Sequence, residues 1–126
     1  MLVKEIIYAV LGPLFNDRVG PHPLPLSFNK SETYITYSVV SGDPLNTVKN
    51  WTGHSQLRIQ INIFNHDTIE AEQAKNEVVW AMTEQSHSSC TFISESDEGL
   101  DEETQLYQQQ VDFLIWQEVS RRSSNG

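Results

Sequence analysis

The chain has 126 residues, 38% of them hydrophobic, which suits one compact globular domain and argues against a disordered chain. Eight basic against seventeen acidic residues give a formal charge of −9. That balance argues against a protein that coats duplex DNA, because phosphate contacts need a basic stripe, but it is compatible with one that surrounds DNA without gripping it. The single cysteine, Cys90, excludes an intramolecular disulfide framework and suits a reducing cytosol.

The opening stretch repeats apolar residues at 2, 3, 6, 7, 10, 11 and 14, the spacing of a helix with one buried face. It carries Lys4 and Glu5, is far too short to span a bilayer and lacks a signal-peptide cleavage pattern, so no membrane association is expected. Gly12-Pro13 ends this helix, since Pro13 has no amide donor and restricts Gly12. Pro21, Pro23 and Pro25 then predict an extended crossing segment without ladder hydrogen bonds between Asn16 and Asn29. Asn29-Lys30-Ser31 and Asn50-Trp51-Thr52 fit the glycosylation sequon, and without a secretion signal both read as chance matches.

Tyr34 to Val40 is β-branched and aromatic, hence a strand, stopped by Ser41-Gly42-Asp43-Pro44. Leu45 to His54 shows no period and reads as a long loop, a candidate for partner contact. Leu57 to Phe64 alternates strictly, with Leu57, Ile59, Ile61 and Ile63 on one face and Arg58, Gln60 and Asn62 on the other. A one-residue slip would expose all four aliphatics, so this strand is expected to be strictly registered.

Asp67 is an expected N-cap with Glu70 completing a capping-box-like pair. The helix that follows has the apolar stripe Ala71, Ala74, Val78, Ala81 and Met82, with Lys75 among the residues expected to face away. Ser88 to Ser94 predicts a short strand, Glu95 to Glu103 an acidic turn region, and Leu106 to Trp116 the last long strand, with residues 120–126 a loose tail. The expected fold is therefore α+β: a single domain over 1–119, in the order α-β-β-α-β-β, with two helices covering one four-stranded antiparallel sheet.

Chemistry-bearing constellations are thin. His87 and Cys90 are spaced His-x-x-Cys, but no second pair completes a tetrahedral metal site. There is no Gly-x-Ser-x-Gly elbow, no phosphate-cradling glycine loop and no Glu-x-Lys to follow the strand carboxylate Asp112. The acidic run lacks the Asp-x-Asp-x-Asp-Gly ladder of a calcium loop. The expectation is a non-enzymatic protein with no cofactor.

Two features point to assembly. Trp51, in polar company, is either an interface anchor or an indole folded back onto the sheet. Gln108, Gln109 and Gln110 put amides on both faces of a strand, as suits a face that meets a neighbour, a wet channel or plain solvent.

Tyr34-Ile35-Thr36-Tyr37 with Val40-Ser41-Gly42 resembles the first strand and exit turn of the tail-completion (tail-terminator) family of long-tailed phages. Arg58-Ile59-Gln60-Ile61-Asn62-Ile63-Phe64 resembles that family's next strand, which typically reads Arg-x-Gln-aliphatic-Asp-aliphatic-aromatic. Glu102-Glu103-Thr104-Gln105-Leu106-Tyr107 and Val111-Asp112-Phe113-Leu114-Ile115-Trp116 resemble its closing Glu-x-x-x-x-Tyr and aliphatic-Asp-Phe-x-aliphatic-Trp strand. The likeness runs over residues 2–118 and rests on the order and spacing of these motifs. Thr33 and Asn62 depart from the family's usual Pro and acidic residue, and 43–53 has no pattern that aligns.

The resemblance implies a structural virion protein, made in the bacterial host cytoplasm, that forms a ring at the head-proximal end of a phage or prophage tail. Such rings are usually hexameric, stop growth of the tail tube and join it to the head. The implied partners are further copies of the chain, the tail-tube protein and the head connector or neck protein, with DNA passing through the ring without tight binding. Candidate partner-binding residues are Asp43, Leu45, Lys49, Asn50 and Trp51 in one stretch and Glu95, Asp97, Glu98 and Asp101 in the other. The alternatives are another neck or head-closure component or, from a different class, a small α+β ligand-binding or enzymatic domain.

Overall fold

The computed structural model describes residues 2–25, 32–46 and 51–118. Its elements are α1 (Val3–Leu11), β1 (Val19–Pro21), β2 (Tyr34–Asn46), β3 (Trp51–Asn65), α2 (Thr68–Glu84), β4 (Cys90–Asp101) and β5 (Leu106–Glu118). The strands form one mixed sheet in the order β1-β2-β3-β5-β4. The expected four-stranded antiparallel sheet in the order α-β-β-α-β-β is thereby corrected to five strands in the order α-β-β-β-α-β-β, with one parallel pair.

The added strand comes from the proline-rich crossing. Val19, Gly20 and Pro21 lie parallel to Ile35, Thr36 and Tyr37, with the Ile35 amide donating to the Arg18 carbonyl at 2.9 Å and the His22 amide donating to the Tyr37 carbonyl at 2.9 Å. Inward-facing donors alternate along a strand, so with His22 pointing in, Pro21 occupies an outward position where a missing N–H loses no ladder bond. Prolines in sequence argue against a central strand. They do not argue against a three-residue edge.

The other four strands pair antiparallel in a continuous alternation. Ile59, Ile61 and Ile63 face α1 and α2 and are fully buried, flanked by Ile35 and Tyr37 of β2 and by Val111, Phe113 and Ile115 of β5. The helices close this layer with Val3, Ile6, Ile7 and Leu11 from α1 and Ala74, Val78 and Met82 from α2. Each large aliphatic so buried contributes about 1.5–3 kcal/mol of hydrophobic stabilisation, which makes the register of β3 the most strongly enforced feature of the fold. Both helices lie over the same sheet face, as expected from their stripes.

Local signals are realised with two differences. Asp67 caps α2, its carboxylate accepting from the Ile69 and Glu70 amides at 2.8 and 3.2 Å. The Asp67 amide is taken by Asn65 Oδ1 at 2.8 Å, which leaves no donor there for the Glu70 carboxylate to complete a capping box. Lys75, expected to face solvent, is buried, because its ammonium reaches Glu95 Oε2 at 2.9 Å at the sheet edge while its stem packs beneath α2.

Candidate interaction surface

Both helices lie on one face of the sheet; the middle of the other face carries a cluster of polar side chains, with the buried Phe64 and Leu106 toward one end. Arg58 on β3 donates from Nε and Nη2 to Asp112 Oδ2 on β5, at 3.1 and 2.8 Å. Further along the same strands, Gln108 Nε2 donates to Asn62 Oδ1 at 2.9 Å, and on the neighbouring β2 the Thr36 hydroxyl lies 3.1 Å from Nδ1 of His22, just past β1. Thr36, Asn62 and Asp112 are buried, and every described buried side-chain polar atom has a partner. A satisfied polar layer of this kind fixes its members' geometry, whereas a half-satisfied one would destabilise the sheet.

The two families of sequence motif meet here. Arg58 belongs to the stretch beginning Arg-x-Gln, Asp112 to the aliphatic-Asp-Phe stretch, and β3 and β5 are neighbours with Gln60 opposite Asp112. Residues 54 positions apart in sequence thus share one charge-assisted contact.

Comparison of the chain with models of known protein families, and with curated proteins, gives no match.

The structure distributes the described sequence-derived contact residues over three strands where a loop and turns were expected. Asp43 and Leu45 lie in β2, opposite Gln56 and His54, and Trp51 opens β3 opposite Asn46. The expected loop from Leu45 to His54 is in large part the end of a long β-hairpin. Pro44 is accommodated because β2 is the outermost strand there. Lys49 and Asn50 lie outside the described residues, as does the stretch 120–126.

Glu95, Asp97, Glu98 and Asp101 belong to β4, which runs the full length from Cys90 to Asp101, so the acidic turn region is corrected to an edge strand. Edge strands tolerate charge because their outer side faces solvent, and charge there discourages indiscriminate pairing. These carboxylates are engaged locally. Glu95 holds Lys75, Asp97 accepts from the Gly99 amide at 2.9 Å, and Glu98 accepts from the Ser96 hydroxyl. Asp101 accepts from the Glu103 amide at 3.1 Å and from the Thr104 hydroxyl at 3.0 Å, closing the turn into β5. Gly99 sits at φ +72°, where a bulge in β4 needs a backbone that other residues adopt at a cost. The structure therefore separates the two groups of candidates: the first runs along one outer strand and its hairpin partner, the second along the opposite edge of the sheet.

Sequence reasoning missed the exposed apolar residues. Val39 and Val40 are 46% and 53% exposed on β2, Phe92 and Ile93 39% and 37% on β4, and Trp80 is 65% exposed on the outer side of α2. The signal was available in each case. Two consecutive apolar residues in a strand cannot both face the core, and position 80 falls opposite the stripe Ala71, Ala74, Val78 and Met82.

Two groups have displaced titrations. Burial pushes the Tyr37 hydroxyl up to about 12, with the Tyr8 hydroxyl beside it adding to the effect. Burial alone pushes the Cys90 thiol up to about 12, the opposite of what an activated nucleophile needs.

Proposed function

We propose that this chain is a structural virion protein that assembles as a ring at the head-proximal end of a phage or prophage tail, terminates tube growth and joins tail to head. The observation that carries the reading is the Arg58–Asp112 contact. The motifs that resemble the tail-completion family are scattered along the sequence, yet they fall on neighbouring strands and bond to each other.

Charge supports the same reading. A ring of subunits each carrying −9 surrounds DNA with like charge, so the duplex slides through without sticking. The same charge makes subunits repel, and assembly is promoted by salt, which screens over about 8–10 Å at physiological ionic strength, or by docking on the tail tube. Further copies of the chain, the tube protein and the connector or neck protein are the partners of this role.

Negative-stain electron microscopy of the purified protein, alone and with tube protein, tests the proposal. Rings with a central hole are expected. Monomers under every condition would remove the proposal, and tight duplex-DNA binding at moderate salt would count heavily against it.

A further inference from the structure

Among the described residues, the sheet ends in two edges that no further strand covers. On one side β4 is outermost throughout. On the other, β1 covers β2 only from Ile35 to Tyr37, so β2 is outermost from Ser38 onward. Each free edge carries a register shift, between Val39 and Ser41 on β2 and between Phe92 and Ser94 on β4. At each shift two consecutive apolar residues are exposed, Val39 with Val40 and Phe92 with Ile93. Unpaired apolar edges are a liability that soluble monomers avoid.

We propose that these edges are the two halves of one contact: Val39 and Val40 of one copy dock against Phe92 and Ile93 of the next, continuing the sheet from subunit to subunit. The proposal rests on the ring reading above and names the surfaces that would build the ring.

Three observations carry it. The first is height. Val39 lies opposite Ile59, Ile59 opposite Phe113, and Phe113 opposite Phe92, so both patches occupy the same row of the sheet. A neighbour placed sideways brings them together with little displacement along the strands, the condition for a head-to-tail contact that closes on itself and does not climb into a filament. The second is direction. Strands β2, β3, β5 and β4 alternate, so β4 runs opposite to β2 and a neighbour continues the antiparallel order.

The third observation concerns the obstacle that β1 presents. A neighbour's β4 can reach β2 only by stepping outward past β1, a strand spacing of about 4.8 Å. β1 ends at Pro21, opposite Tyr37, and β4 has its register shift between the rows of Val39 and Ser38. The bend therefore falls where β1 stops, and bulges are the device by which strands bend.

The test uses the full chain with its native thiol removed by Cys90→Ala. In that background Val40→Cys combined with Ile93→Cys, treated with a short bis-maleimide, is expected to give a ladder of covalent multimers on a denaturing gel. Either cysteine alone is expected to give none, because a head-to-tail contact never places like positions together. A second variant, Val39→Lys with Val40→Lys, is expected to keep its far-ultraviolet circular dichroism and to lose the multimers seen in sedimentation. Covalent dimers from Val40→Cys alone would overturn the proposal by revealing a two-fold contact. Rings in the microscope without a ladder from the double variant would overturn the edge assignment and leave the ring reading standing. A wild-type chain that never assembles would end both.

Discussion

At the scale of single residues, the polar cluster on the second sheet face and the helix cap make the sharpest demands. Asp112 is buried and its charge is met by Arg58, so Arg58→Met strands a carboxylate. We expect a loss of about 1–3 kcal/mol of stability, the cost of an unsatisfied buried polar group, where a surface ion pair contributes about 0–1 kcal/mol. Urea unfolding midpoints measure it, and an unchanged midpoint would show that Arg58 only decorates the surface. Asp67→Ala removes the cap of α2 and is expected to cost about 1 kcal/mol by the same assay.

The raised Tyr37 and Cys90 groups set an alkaline limit. The unfolded chain ionises them near their ordinary values of 10.0 and 9.0, while the folded protein holds both neutral until about 12. Between those values the unfolded state binds fewer protons than the folded one, so stability falls as pH rises. Tyr37→Phe and Cys90→Ala are each expected to flatten the decline in melting temperature between pH 9 and 12. A slope identical to wild type in both variants would contradict the assignment.

At the scale of elements, the fold is held by the row of isoleucines in β3 between two helices and two flanking strands. Ile61→Ala opens a cavity where relaxation from both sides is limited, and a loss of about 2–5 kcal/mol is expected from denaturant unfolding. A loss below 1 kcal/mol would mean that the layer is loosely packed. This unit was legible in sequence, because strict alternation followed by an N-cap and a 3.6-residue stripe leaves little choice of structure. Two other elements were not legible, for definite reasons. β1 carries a proline that is harmless only at an outward edge position, and edge position is a property of the assembled sheet. β4 carries carboxylates that sequence rules assign to a turn, and the partner that holds Glu95 on the strand, Lys75, sits on α2. Of the candidate contacts, the acidic group and the Asp43 to Trp51 group were found as stretches of chain. Their placement toward opposite sides of the sheet became visible only with the strand order.

At the scale of the whole molecule, both helices pack on one face of the sheet and the other carries a satisfied polar cluster, while exposed apolar residues lie at the described edges and on the outer side of α2. The like charge of neighbouring copies opposes association, so oligomerisation is expected to strengthen with salt, whereas binding to duplex DNA, if measured, is expected to be weak throughout.

Sedimentation velocity across a salt series tests whether this subunit closes into a ring. A single large species of a few fixed copies is expected, growing at the expense of monomer as salt rises or as tail-tube protein is added. Monomer alone at every salt concentration, with and without the tube protein, would contradict it.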